Sequence, residues 1–235
     1  GVISVNTTWS NATSMMTIDS NVTLTAGATL TIAPGTMIRQ RNGSRIIVGN
    51  NCRVNYNGTP ANPVVVFAAT PDQLWQAEAT ASGAVITGQY LTAIGGRFLV
   101  GSSARMHLEA STLRDLAGTN TLISATSGSA VTLNQCLVDD YGKMTFNGST
   151  VSLYKTRFRD MLYAGLEVTG GALTAQRTTV GRAAVTNGGV DGIRFGGGVQ
   201  ATVTNSLIYG LDGRGIVSSG AADNLRVGGS LVYDC

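Results

Sequence analysis

Three aspartates in the second half of the chain stand at equivalent places of a repeated sequence pattern. Asp115, Asp140 and Asp160 each lie two residues after one copy of that pattern. On successive coils of a repeat structure their carboxylates would lie about 4.8 Å apart and repel each other, unless a cation or hydrogen bonds offset the charge. The three aspartates are therefore candidate Ca²⁺ ligands. The structural alternative, which we favour, is that they cap local backbone N–H groups at turns.

Two aromatic residues, Trp75 and Tyr233, are candidates for ligand binding. Trp75 falls within residues 68–84, which interrupt the repeat and are predicted to form a loop or short helical excursion from one coil. A tryptophan on such a loop could bind a ligand, but it more often anchors the loop, because it buries a large apolar area. The tyrosines do not fall into one column by their spacing, which argues against a sugar-stacking groove: they are Tyr154, Tyr163, Tyr209 and Tyr233.

The repeated pattern that positions these residues occurs six times and has the periodicity of a strand. Two apolar residues alternate with polar ones, the phase then slips by an odd step, and the next inward residue is always small or a thiol. The copies span 106–113, 131–138, 151–158, 173–180, 201–208 and 225–232, and the small residues are Ser111, Cys136, Thr156, Thr178, Ser206 and Ser230. A repeat of this length predicts a solenoid whose unit is strand, bend, strand, turn, strand.

Length and composition limit the classes of protein that fit. The 235 residues predict about nine or ten coils in one domain, 1–235, with residues 1–20 as a lead-in segment or cap. The net charge is +3 without a basic run, which argues against nucleic-acid binding. No stretch has the roughly 18 apolar residues of a membrane span. The three cysteines, Cys52, Cys136 and Cys235, are too few for a disulfide framework.

Two segments carry a resemblance to a known superfamily. Leu30-Thr-Ile-Ala-Pro-Gly-Thr36 and Asn57-Gly-Thr-Pro-Ala-Asn-Pro-Val-Val-Val-Phe67 resemble the opening coils of right-handed parallel β-helix proteins of the pectin-lyase-like superfamily. They are most similar to the β-helical regions of secreted bacterial surface proteins. The resemblance implies an all-β, single-stranded right-handed parallel β-helix, and an extracellular or cell-surface location. It does not imply one activity, because this fold hosts lyases, hydrolases, adhesins and structural proteins.

One further set of carboxylates could hydrolyse a glycan. Asp191, in Asn187-Gly-Gly-Val-Asp191-Gly192-Ile193, and the pair Asp139-Asp140 resemble the acids of polygalacturonase-type hydrolases, which use one carboxyl as an acid and another to activate water. That family pattern also needs a Gly-His-Gly and an Arg-x-Lys segment in a set order. The only histidine, His107, lies outside and upstream, and its place between two inward residues predicts an exposed surface side chain.

The last copy of the repeat predicts an end that can assemble. It runs into Leu231, Val232, Tyr233, Asp234 and Cys235 with no predicted cap, so strand edges and apolar residues would be open to another chain. The expected partners are copies of this chain or the continuation of a larger one. A head-to-tail contact that does not close produces a filament.

The sequence therefore predicts a non-enzymatic, extracellular structural or adhesive β-helix rod that can assemble end to end into a filament or surface fibre. No catalytic residue and no cofactor is assigned, apart from the Ca²⁺ alternative. The competing hypothesis is a carbohydrate-active β-helix protein, namely a polysaccharide lyase, a glycoside hydrolase or a glycan-binding module. Surface glycans are the expected ligands under that hypothesis.

Overall fold

The chain folds into stacked coils of parallel strands. The computed structural model describes residues 1–10, 14–41, 43–70, 74–115, 121–183 and 189–235. Over these residues there are thirty strands in three ten-stranded sheets, all paired in parallel, and no helix. Consequently none of the described segments is a helix that could cross a membrane. Each coil gives one strand to each sheet, which confirms the predicted all-β parallel solenoid of nine or ten coils.

The strands are numbered in chain order, and every third strand belongs to the same sheet. The first sheet contains β1 (Val2–Ile3), β4 (Val22–Leu24), β7 (Arg45–Val48), β10 (Trp75–Ala79), β13 (Gly96–Val100), β16 (Thr121–Ala125), β19 (Lys143–Asn147), β22 (Ala164–Thr169), β25 (Asp191–Gly196) and β28 (Ile216–Ser218). The second contains β2 (Thr7–Trp9), β5 (Thr29–Ile32), β8 (Arg53–Asn57), β11 (Val85–Gln89), β14 (Arg105–Glu109), β17 (Ala130–Asn134), β20 (Thr150–Tyr154), β23 (Ala172–Gln176), β26 (Gln200–Thr204) and β29 (Asn224–Gly228). The third contains β3 (Met15–Ile18), β6 (Met37–Gln40), β9 (Val64–Ala68), β12 (Leu91–Ile94), β15 (Thr112–Arg114), β18 (Leu137–Tyr141), β21 (Arg157–Met161), β24 (Thr179–Ala183), β27 (Leu207–Tyr209) and β30 (Leu231–Tyr233).

Equivalent residues of successive coils form columns, because neighbouring strands pair residue for residue. In the second sheet Val54 pairs with Ile86, and Ile86 pairs with Met106. All three side chains are buried. Since strand side chains alternate between two faces, the residues between them form outward columns. The solenoid therefore has an apolar interior and three outer faces that can carry chemistry.

A corner joins the second sheet to the third, and the predicted small residues lie at it. The residue before each one has positive φ: Ala110, Gln135, Lys155, Arg177, Asn205 and Gly229. This left-handed conformation turns the chain inward without a long loop. The Ser206 hydroxyl accepts a hydrogen bond from the Thr178 backbone N–H at 3.2 Å, and Ser230 accepts one from Ser206 at 3.1 Å. The inward residue is thus small to fit the corner and usually polar to satisfy the backbone there.

Residues 1–20 form a coil of their own, where the sequence predicted a lead-in segment or cap. Strands β1, β2 and β3 pair with β4, β5 and β6 of the next coil. Residues 11–13 lie outside the described part of the chain. The prediction missed these strands because they are only two to four residues long, which leaves little room for an alternating pattern.

The predicted loop excursion at 68–84 is wrong for Trp75–Ala79, which form strand β10 inside the first sheet. Trp75 pairs with Gly96, and its ring lies where a Gly96 side chain would be, since an added Cβ would be 2.1 Å from the indole. The Trp75 Nε1–H donates to the Ile94 carbonyl at 2.8 Å, and its ring packs edge-on against Phe98. Residues 71–73 of the excursion lie outside the described part of the chain.

Candidate functional site

Two of the three candidate Ca²⁺ ligands, Asp140 and Asp160, contact arginines on the third sheet. Arg159 pairs with Asp139 through two hydrogen bonds of 2.9 Å, which are the main reason that the pKa of Arg159 is raised. Arg114 contacts Asp140 at 3.3 Å, and Arg159 lies 3.8 Å from Asp160. Across the described ranges, no three or more His, Cys, Asp or Glu side chains are grouped to hold a metal ion. Guanidinium groups thus provide the positive charge that a cation would supply beside Asp140 and Asp160.

Asp115, the first member of the predicted ladder, is buried within the wall. Its side chain has no exposed surface, and its backbone N–H donates to the Asp140 carbonyl at 3.1 Å. Asp140 and Asp160 have left-handed backbones, with φ of 52° and 54°. Aspartate tolerates that conformation well in turns. That these carboxylates cap backbone N–H groups stays a prediction.

Asp191 is a buried carboxylate that holds two exposed arginines. It is 2% exposed and begins strand β25. Its Oδ2 lies 2.8 Å from Arg194 Nε and 3.3 Å from Arg214 Nη2, and its Oδ1 accepts the Arg214 backbone N–H at 2.8 Å. Burial alone would raise the pKa of Asp191, but these hydrogen bonds and the positive charge outweigh it and lower the pKa. The side chains of Arg194 and Arg214 remain 43% and 73% exposed.

The carboxylates of the hydrolase hypothesis are distributed over two sheets. Asp139 and Asp140 belong to strand β18 of the third sheet, whereas Asp191 belongs to the first. Each of the three has an arginine partner. The Asn187 and Gly188 positions of the sequence motif lie outside the described residues. The arrangement is therefore that of separate ion pairs, not of one acid beside one base.

The exposed arginines border a groove on the outer face of the first sheet. Thr145, Glu167 and Arg194 form one outward column on successive strands. Two adjoining depressions of about 310 and 240 Å³ share Glu167 and Thr169. Lys143 lies 3.3 Å from Glu167. We call this surface the first-sheet groove, and define it by Thr145, Glu167, Thr169, Arg194, Arg214 and Ser219.

A second groove lies on the outer face of the second sheet and has a different lining. It encloses about 470 Å³. Its floor is an outward column of Thr31, Asn55, Thr87 and His107, and its wall is a parallel column of Asn57, Gln89 and Glu109. The Thr87 hydroxyl donates to Asn55 Oδ1 at 2.5 Å. We call this surface the second-sheet groove. His107 is exposed, as predicted, but lies among polar neighbours on the groove floor.

Of the two aromatic candidates, Trp75 is wrong as a binding residue. It is 1% exposed and packs in the interior. Trp75 therefore has an anchoring role, as the alternative prediction stated, but it anchors a strand and not a loop. Tyr233 is exposed and stacks on Tyr209, with ring centroids 5.7 Å apart and planes 12° from parallel. Tyr154 belongs to the second sheet, so the tyrosines do not form one column, as predicted, although Tyr209 and Tyr233 pair in register. Gly181 precedes Tyr209 in the column, and the Tyr209 ring covers it.

Several residues of the predicted assembly segment are exposed on the tenth coil. Leu231, Val232 and Tyr233 belong to strand β30, which pairs with β27 on one side. Asp234 has a left-handed backbone, and Cys235 is an exposed free thiol. Leu231, Val232 and Tyr233 thus place exposed apolar side chains side by side on β30.

Three parallel sheets around stacked inward columns define a parallel β-helix. Residues 1–133 match the sequence family described as a pectate-lyase like beta helix domain, so the chain belongs to that family. Among solved structures, an alginate lyase from Paenibacillus sp. str. FPU-7 is similar at 11% identity and a TM-score of 0.26, over 86% of this chain and 91% of that chain. No curated protein matches the sequence.

Proposed function

We propose that the chain is a non-catalytic, extracellular adhesive rod that binds an acidic polysaccharide in the first-sheet groove. The observation that carries the proposal is Asp191, one buried carboxylate that fixes two exposed guanidiniums. Because one buried negative charge serves two positive ones, and Lys143 offsets Glu167 beside them, the groove keeps an excess positive charge. Guanidiniums with preset geometry favour carboxylate ligands. Acidic polysaccharides of this kind occur outside the cell, and the proposal therefore includes an extracellular location.

The state of the acids supports binding without catalysis. A general acid needs a carboxyl whose pKa lies near the working pH. The pKa of Asp191 is lowered instead, so its carboxylate stays ionised at neutral pH. The carboxylates of Asp139 and Asp140 are paired with arginines. These residues are suited to holding guanidiniums in place and not to delivering a proton.

A polysaccharide lyase is the second candidate, and the family to which the chain belongs is the observation that favours it. A lyase abstracts a proton next to the sugar carboxylate and needs a base beside that carbon. The exposed side chains nearest to the bound carboxylate in our proposal are Arg194 and Arg214. A guanidinium has hydrogen-bond donors and no acceptor, so it binds an anion but does not accept a proton.

One experiment separates binding from turnover. Calorimetry with polygalacturonate and with alginate oligosaccharides should detect binding, and ultraviolet absorbance of the same mixtures should show no unsaturated product. Arg194→Gln and Arg214→Gln should each weaken binding about ten-fold, which is ~1.4 kcal/mol. Arg157→Gln is the matched control, because Arg157 is exposed on the third sheet. Product release would overturn the non-catalytic assignment, and equal affinity in all variants would overturn the site.

We also propose that the tenth coil is covered by another copy of the chain or by the continuation of a larger chain, and the first of these can be tested on this chain. Its exposed large apolar side chains are Val227, Leu231, Val232 and Tyr233. Burying such side chains against a second solenoid is favourable by about 25 cal/mol per Å². Sedimentation velocity should show concentration-dependent oligomers that Leu231→Lys reduces, with Met15→Lys as a comparison at the first coil. A purely monomeric wild-type protein at every concentration would contradict this.

A further inference from the structure

The second-sheet groove has the size of a binding site and is distinct from the first-sheet groove. Its volume of about 470 Å³ lies within the range of roughly 300–1,000 Å³ typical of ligand sites. It is built on strands β5, β8, β11 and β14, whereas the exposed arginines lie on and after β25 of another sheet. A ligand in one groove therefore does not contact the residues of the other.

The lining of this groove is polar and nearly neutral. The outward side chains contribute hydroxyls from Thr31 and Thr87, amides from Asn55, Asn57 and Gln89, one imidazole and one carboxylate. Neither lysine nor arginine is among the lining residues. Amides and hydroxyls offer both donors and acceptors, which is what a ligand rich in neutral hydroxyl groups requires. An acidic polymer would meet the carboxylate of Glu109, and none of the lining residues is a lysine or arginine that could compensate it.

The polar groups are held in a repeating array by the sheet beneath them. Asn55, Thr87 and His107 pair in register on three successive strands, and Asn57, Gln89 and Glu109 do so beside them. Adjacent rungs are about 4.8 Å apart. The Thr87 hydroxyl donates to Asn55 Oδ1, so the Asn55 N–H groups remain to donate to a ligand. Rigid positioning of this kind lowers the ordering cost of binding.

From this arrangement we infer that the second-sheet groove binds a neutral polysaccharide along the axis of the solenoid. A linear neutral glycan repeats its hydroxyl groups along the chain, as the groove repeats its amides and hydroxyls along the coils. The outward lining side chains are all polar, so the groove does not offer the aromatic or arginine anchors that dominate protein–protein interfaces. The inference does not depend on the acidic polysaccharide proposed for the first-sheet groove.

His107 provides a site-specific reporter, because it is the only histidine of the chain. The Cε1–H signal of its imidazole can be followed by NMR while the intact protein is titrated with cellohexaose, xylohexaose and maltohexaose. We expect at least one of these neutral oligosaccharides to shift the His107 signal in a saturable manner. Oligogalacturonate should leave the signal unchanged while it binds elsewhere. A His107 signal that none of the three sugars moves would overturn the inference.

Substitutions in the groove locate the binding. Thr87→Val keeps the shape of the side chain but removes its hydroxyl, and should weaken the neutral ligand roughly five- to ten-fold. Thr23→Val is the matched control, because Thr23 occupies strand β4 of the first sheet, and it should bind like wild type. Equal affinity in Thr87→Val, Asn55→Leu and wild type would place the ligand elsewhere and reject this groove. Loss of acidic-ligand binding in Arg214→Gln, with the His107 response retained, would show that the two sites are independent.

Discussion

The first-sheet and second-sheet grooves lie on the same solenoid but differ in how their side chains are held. In the first, exposed Arg194 and Arg214 are tied to the buried carboxylate of Asp191. In the second, Asn55 and Thr87 are bonded to each other on the surface. The backbone geometry is shared, since both grooves lie across parallel strands in register. The outward residues alone therefore decide the chemistry of each face.

This difference has an energetic consequence. A ligand-binding side chain that is held by a buried charge is coupled to the stability of the fold. The buried charge cannot be removed without leaving polar groups unpaired. Surface groups that bond each other are not coupled in this way. We therefore expect substitutions at the anchor of the first-sheet groove to lower both ligand affinity and the free energy of unfolding. Substitutions in the second-sheet groove should lower ligand affinity only.

The largest expected effect comes from the interior of the solenoid, where Gly96 lies against the Trp75 ring. An alanine at Gly96 would put its Cβ 2.1 Å from the Trp75 ring, which is 1% exposed and cannot move outward. Gly96→Ala should lower the free energy of unfolding by about 3 kcal/mol or more, measured by urea titration. Gly228→Ala is the control, since its Cβ would meet one methyl group at 4.0 Å.

The next effect tests the anchor directly. Asp191→Ala leaves the Arg214 backbone N–H without its acceptor and both guanidiniums without their carboxylate. The free energy of unfolding should fall by about 2–3 kcal/mol, whereas Thr87→Val should change it by less than about 0.5 kcal/mol. Circular dichroism during urea denaturation measures both. Similar losses in the two variants would abolish the distinction between an anchored and a surface-bonded groove.

A smaller effect is the dependence of that stability on pH. The pKa of Asp191 is lower in the folded chain than in the unfolded chain, where a carboxyl of this kind has a pKa of about 3.9. Its contribution is therefore complete above that value and is lost as pH falls through the folded pKa. The stability difference between wild type and Asp191→Asn should shrink in the same acidic range. Asp223, whose pKa is also lowered, chiefly by Ser218, should leave the variant with some acid sensitivity.

The repeat made the architecture predictable, because apolar alternation and small corner residues reflect packing that acts within one coil and its neighbours. Strand β10 was not predicted, because it lacks this local pattern. Its inward residues after Trp75 are the small Ala77 and Ala79, so the segment has no strong apolar alternation. The large ring fills the space that small neighbours leave. That compensation acts across coils, through Gly96, and is not visible in the local sequence.

The grooves were harder to predict than the fold. Asp191 was noticed as an acid, but its partner Arg214 lies 23 residues later, and only the register of the coils brings the two together. The similar forms Asp191-Gly-Ile and Asp212-Gly-Arg-Gly-Ile216 were the available signal. Likewise, Tyr209 and Tyr233 lie 24 residues apart, each directly after one copy of the repeat, and only the register of the coils shows that they stack. Coil lengths that vary between 20 and 28 residues conceal which outward residues become neighbours.

The smallest expected effect separates the grooves by salt. Binding to Arg194 and Arg214 is electrostatic and exposed, so it should weaken when the Debye length falls from about 30 Å at 0.01 M to about 8 Å at 0.15 M salt. We expect a three- to five-fold loss of affinity for oligogalacturonate, or roughly 0.6–1 kcal/mol. The neutral ligand that moves the His107 signal should keep its affinity, because hydroxyl and amide contacts carry no net charge. Equal salt sensitivity of both ligands would mean that the arginines attract both, and that the second-sheet groove has no ligand class of its own.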